Sequence, residues 1–250
     1  MRNIRMSIVV IVTFLICFGI TMIYSSSGVY ALQEMGNKAH FLNRHLLFLF
    51  IGFLAMVSMM AVDYRHLRAV AKPLVGIILV LLVLVLIPGI GKESFGARRW
   101  FKIGPFNIQP SEFAKLVMLV YTADFLARKK GNIKDFWSGF IPLIVVMGLF
   151  CLLIVKQPDL GNSVLIASIV LIMMFIAGTR VLHIVLLGLL ASPVLFILIV
   201  MVPYRMRRII AFLHPAEDIQ GVGFQLRQSH IALGSGGVFG VGLGGVIFSI

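Results

Sequence analysis

Two adjacent carboxylates, Glu217 and Asp218, stand between three arginines (Arg205, Arg207 and Arg208) and a glycine-dense stretch that includes Gly221, Gly223, Gly234, Gly236 and Gly237. An acid so placed can accept a proton from an attacking hydroxyl or hold a divalent cation, while guanidinium groups receive a pyrophosphate. Glycine allows the backbone to approach a ligand closely. The same pattern also describes a solvated turn, and the residues alone leave both readings open.

A second candidate lies upstream, in the segment Gly91–Pro110. Arg98 and Arg99 can fork onto phosphate, and Trp100 suits a membrane interface. Pro110, Ser111 and Glu112 make a good helix start, because proline fits the first turn and a carboxylate there offsets the helix dipole. Glu112 and Lys115, three apart, share one helix face. They form either a simple ion pair or part of a substrate lining. In the turn Lys156-Gln157-Pro158-Asp159-Leu160-Gly161, Asp159 is expected to cap the next helix near Asn162. Cys17 and Cys151 lie inside apolar runs and read as packing residues, and no Cys or His cluster has zinc spacing.

The elements that must position these groups are membrane helices. The chain is 60% hydrophobic and 12% charged, with a mean hydropathy of +1.05. A soluble domain of this length has too little interior for so much apolar surface, and a helix needs roughly 20 apolar residues to cross a bilayer. The expected fold is all-α, a polytopic transmembrane bundle and a single membrane domain over residues 1–250. About seven spans are expected. They fall at Met6–Ser27, Leu46–Val62, Leu74–Ile90, Ser111–Ala127, Gly139–Val155, Ser163–Gly178 and Leu182–Pro203, with a large outer loop after the seventh. With the N-terminus in the cytoplasm, ten basic residues lie inside and twelve outside, so charge counting alone does not orient the bundle. Arg2 and Arg5 beside the first span and the compact loop Arg128–Lys134 favour that orientation. The outer excess fits an anionic ligand such as a pyrophosphate lipid, or attraction to lipid headgroups. Despite the net charge of +13, no nucleic-acid partner is expected.

A set of short motifs, in order along nearly the whole chain, carries a resemblance. They are Tyr24-Ser25-Ser26, Asp63-Tyr64-Arg65, Gly96-Ala97-Arg98-Arg99-Trp100, Gln109-Pro110-Ser111-Glu112 and Gln157-Pro158-Asp159-Leu160-Gly161. Pro203-Tyr204-Arg205 with Arg208, Gly223-Phe224-Gln225 with Gln228-Ser229, and Gly240-Val241-Gly242-Leu243-Gly244 complete the set. The chain resembles the SEDS family of shape, elongation, division and sporulation proteins, which includes FtsW, RodA and SpoVE. The resemblance implies a peptidoglycan glycosyltransferase of the bacterial cytoplasmic membrane that polymerises lipid II at the outer face and releases polyprenyl pyrophosphate.

It further implies that Asp218, in Pro215-Ala216-Glu217-Asp218, is the catalytic carboxylate, or a ligand for Mg or Mn. Arg98, Arg99, Glu112, Lys115, Arg205, Arg208, Gln225, Gln228 and Ser229 are the expected substrate-binding residues. Implied partners are a class B penicillin-binding protein (a transpeptidase) and other membrane proteins of the division or elongation machinery. Gly139 and Gly148 in the fifth expected span offer room for such a partner or for internal packing. Asn107 stands where many relatives carry arginine, and the family has about ten spans, so a chain lacking its C-terminal part is expected. A lipid II flippase and a non-catalytic scaffold are the competing functions.

Overall fold

The computed structural model describes residues 2–94, 97–104, 106–203, 205–207, 210, 223–237, 240 and 242. They are mostly helical, with one small three-stranded sheet. Chain contacts divide the protein into two compact units, Met1–Ala61 with Phe196–Ile250, and Val62–Leu195.

In the first unit, α1 (Arg2–Met35) and α2 (His40–Ala61) pack against each other. Their junction is written locally. Gly36 takes a φ of 66°, a left-handed conformation that ends a helix cheaply only for glycine. The Asn37 side chain then accepts a hydrogen bond from the Ala39 amide at 2.9 Å, and Tyr30 stacks on Phe41 across the turn. The apolar windows of both helices have no buried share, as expected of surfaces whose solvent is lipid rather than water.

The second unit holds α3 (Tyr64–Leu84), β1 (Lys92–Ser94), β2 (Ala97–Ile103), β3 (Phe106–Ile108), α4 (Pro110–Arg128), α5 (Ile141–Lys156) and α6 (Leu160–Ile176). It also takes in most of α7 (Val181–Val200). Its core is built from Leu82, Met118, Leu143, Phe150, Ile154, Ile166 and Met174, all fully buried. The central helix is α4, which touches α3, α5, α6 and β2.

Among the described residues, five helices are long and apolar enough to cross a membrane: Met6–Gly28, His40–Ala61, Arg65–Leu84, Phe136–Lys156 and Val181–Val200. The other two expected spans correspond to α4, which carries four charged residues, and to α6, which is apolar but 17 residues long. The most polar of these helices is the one enclosed by neighbours, because lipid would leave its charges unsatisfied. The third helix begins ten residues earlier than its expected span. Asp63 caps it by accepting from the Arg65 amide at 2.9 Å, and the turns bearing Arg65, Arg68 and Lys72 are helical too.

The Gly91–Pro110 segment, which joins the third and fourth expected spans, folds into an antiparallel sheet of order β1-β2-β3. Glu93 pairs with Arg98 and Lys102 with Asn107, and Gly104 at φ 59° turns the chain between β2 and β3. At the opposite end of the unit, Asp135 opens a five-residue π-helical turn, Phe136–Phe140, that leads into α5. Hydrogen bonding from Ser138, by its side chain first and then its amide, holds the Asp135 carboxyl below the usual carboxylate range. Gly139 serves internal packing here, since a Cβ would collide with the carbonyl oxygen of Asn132, whereas Gly148 faces open space.

Candidate active site

The end of the second unit that carries the sheet is tied together by polar side chains from four elements. Gln109, at the cap of α4, donates through Nε2 to Asp159 Oδ2 at 3.1 Å. Asp159 in turn caps α6, as its position before Asn162 leads one to expect, accepting from the Asn162 amide at 3.2 Å and from Asn162 Nδ2 at 2.9 Å. The same Asn162 Nδ2 reaches Ser111 Oγ at 3.3 Å, and Ser111 is fully buried. Gln157 is fully buried as well and donates to the carbonyl of Leu82 at the end of α3, at 3.1 Å. Its Oε1 has no partner among the described residues.

Arg99 closes this network from β2. Its Nε donates to the Gln157 carbonyl at 2.8 Å and Nη2 to the Pro158 carbonyl. A guanidinium is well suited to the task, because its planar fork satisfies two carbonyls that the end of α5 leaves without helical donors. Arg98, on the other face of the strand, pairs with Glu93 through Nε and Nη2 at 3.2 and 3.0 Å. One turn into α4, Lys115 Nζ lies 2.8 Å from Glu112 Oε2, the ion pair that their spacing allows. The arrangement is a rigid platform with basic groups at its rim: Arg99 is committed to backbone, while Arg98 and Lys115 each share a carboxylate.

The remaining expected site residues belong to the first unit. Arg205 donates through Nη1 to the Leu198 carbonyl at 2.7 Å, near the C-terminal end of α7, where a cation offsets the helix dipole. Gln225, Gln228 and Ser229 fall within α8 (Gly223–Gly236), a helix where the glycine content suggests flexible chain. Arg208, Glu217 and Asp218 lie outside the described residues. Among the described residues, no three His, Cys, Asp or Glu side chains gather into a metal-binding group.

Reading the residues one by one misses the clasp, because its members come from motifs more than 40 residues apart. The available signal was the buried amide: a glutamine, Gln157, amid apolar helix ends requires partners. It also misses Asp124, a buried acid on α4.

A family model described as cell cycle protein, of the FtsW, RodA and SpoVE type, matches residues 5–248. The probable peptidoglycan glycosyltransferase FtsW of Trichlorobacter lovleyi is 43% identical over 237 residues, covering 95% of this chain and 62% of its own length. Stage V sporulation protein E of Bacillus subtilis is 44% identical over 237 residues, covering 95% and 65%. Among solved structures, one of a peptidoglycan synthase complex that coordinates polymerization and crosslinking aligns with a TM-score of 0.64 at 32% identity, over 88% of this chain and 65% of that one. The rod shape determining protein RodA of Thermus thermophilus aligns with a TM-score of 0.55 at 31% identity, over 71% and 57%. The chain thus spans less than two thirds of the length of these relatives. With the family model matching residues 5–248 and relatives 43–44% identical over 95% of its length, the chain belongs to the FtsW, RodA and SpoVE family of cell cycle proteins.

Proposed function

We propose that this family member is a lipid II-dependent peptidoglycan glycosyltransferase, acting at the outer face of the bacterial cytoplasmic membrane with its N-terminus in the cytoplasm. The observation that carries the reading is the 43% identity, over 95% of the chain, to a relative named as a probable enzyme of this kind. The chemistry is glycosyl transfer between two lipid-linked sugars. An acceptor hydroxyl attacks the anomeric carbon of the donor, its proton passes to the Asp218 carboxylate, and the bond to the pyrophosphate oxygen breaks. Polyprenyl pyrophosphate leaves with the bonding electrons, and Arg205 and Arg208 offset its charge. The clasp around Gln157 ties the sheet to the turn between α5 and α6, and α4 to the cap of α6, so that Arg98 and Lys115 sit at the rim where a charged headgroup would arrive.

Transport of lipid II across the bilayer is less well supported. The acids Asp63, Glu93, Asp135 and Asp159 lie in caps or strands, and Glu34, Glu112 and Asp124 lie near helix ends. A transport path would favour ionisable groups near the midplane. A class B penicillin-binding protein is the proposed partner, since one structural relative is a synthase complex that couples polymerization to crosslinking. Reconstitution with labelled lipid II tests the reading. Glycan chains support it; leaflet exchange without chains means a flippase; neither, with partner binding intact, means a scaffold.

A further inference from the structure

The end of the second unit away from the sheet has its own organising acid. Asp124 lies 12 residues beyond Glu112 on α4, about 18 Å along the helix. Its side chain is 6% exposed. A buried carboxylate is costly unless paired, and this one is paired twice. Arg68 Nε on α3 lies 3.0 Å from Oδ1, and Arg128 Nη2, one turn further along α4, lies 2.7 Å from Oδ2. The arginines themselves are open, with 61% of the Arg68 side chain and 34% of the Arg128 side chain exposed. One buried anion thus fixes two guanidiniums side by side, each keeping N–H donors for something outside, with one net positive charge left over.

The surroundings say what that something is. Arg65, Lys72, Lys129, Lys130, Lys134 and Arg180 are on the same end and have no carboxylate partner among the described residues. The other two acids here, Asp63 and Asp135, are spent on capping backbone amides. Trp137, 76% exposed in the π turn that follows the basic loop and opens an apolar helix, has the residue type and exposure of an interfacial anchor.

We propose that Arg68 and Arg128, oriented by Asp124, form a binding site for the phosphodiester headgroup of an anionic phospholipid in the leaflet that meets this end of the bundle. The fork of a fixed guanidinium makes paired, charge-assisted hydrogen bonds to phosphate oxygens. Diffuse attraction by the surrounding lysines requires no such geometry.

The experiment separates the two. The purified chain is released from micelles holding equal amounts of phosphatidylglycerol and phosphatidylcholine, and retained lipids are counted by native mass spectrometry. The triple variant Arg68→Gln, Asp124→Asn, Arg128→Gln removes two cations and one anion, a net change of one charge, without stranding a buried carboxylate. Lys134→Gln changes the net charge equally from an exposed position on the same face. Retention of phosphatidylglycerol should fall about tenfold or more in the triple variant and about fivefold at most in Lys134→Gln, with phosphatidylcholine unaffected in both. Equal losses in the two would overturn the site in favour of net charge. Displacement of the lipid by millimolar inorganic phosphate would reassign it to a soluble ligand. Asp124→Asn alone gives an independent reading, because it makes the face more positive while releasing both arginines. Retention should fall, and a rise would sink the proposal.

Discussion

Asp218 and Glu217 are neighbours in sequence but not equivalent in the mechanism proposed. Asp218→Asn keeps the size of the side chain and removes the charge that accepts the proton. Polymerisation of labelled lipid II by purified protein at matched membrane levels should drop by about two to four orders of magnitude, the range for loss of a general base. Glu217→Gln should be milder. A parent-like Asp218→Asn beside a dead Glu217→Gln would place the chemistry on the other carboxylate. The two arginines of β2 likewise diverge. Arg99 holds the Gln157 and Pro158 carbonyls with a fork that an ammonium cannot reproduce. Arg99→Lys should therefore cost about 1.5–3 kcal/mol, the range for hydrogen bonds to a charged group, seen as earlier unfolding in detergent. Arg98→Lys should cost less than about 1 kcal/mol, because its partner Glu93 is largely in solvent. From sequence the pair Arg98-Arg99 looks like one phosphate clamp. Alternation along β2 sends the two side chains to opposite faces, and this separates them.

Among the elements, the turn before α5 depends on one titrating group. The carboxylate of Asp135 is stabilised in the folded chain by Ser138, so its pKa lies below the ordinary 3.8. The sign follows: the carboxylate contributes stability above the unfolded value, and that contribution is lost as pH falls through 3.8 toward the depressed one. With Trp100→Phe leaving Trp137 as the only tryptophan, the pH dependence of Trp137 emission reports on this turn. Its midpoint should fall below 3.8 and the transition should vanish in Asp135→Ala. A midpoint above 3.8 would contradict the capping role. The cap at Asp159 before α6 is legible in sequence, because a cap is a local event between residues two or three apart, whereas the start of α3 behind Asp63 lies ten residues ahead of its expected span. The sheet is not legible, since Lys92, Glu93, Arg98 and Asn107 have no apolar alternation to announce strands.

For the whole molecule, sidedness is the assumption on which the outer-face mechanism rests. Lys102 on β2 and Lys130 after α4 are separated by a helix of 19 residues, about 28 Å long, and both are exposed. In a background without Cys17 and Cys151, Lys102→Cys should be labelled in intact cells by a membrane-impermeant thiol reagent, and Lys130→Cys should not. The reverse pattern would invert the topology and remove the outer-face mechanism with it.

The sequence by itself determined that the chain is a helical membrane protein, because apolar runs of bilayer length have no other stable solvent, and it determined the family, because eight short motifs occur in order. It also determined the starts of α4 and α6, where a proline and a capping aspartate act on near neighbours. Tertiary structure alone decided which helix is central. By composition α4 is a poor span, and only the packing of α3, α5 and α6 around it gives its ionisable residues an environment other than lipid. It alone decided that Arg99 meets Gln157 across 58 positions and that Asp124 meets Arg68 across 56. Such partnerships are set by how helices pass one another in space, and no local spacing records them.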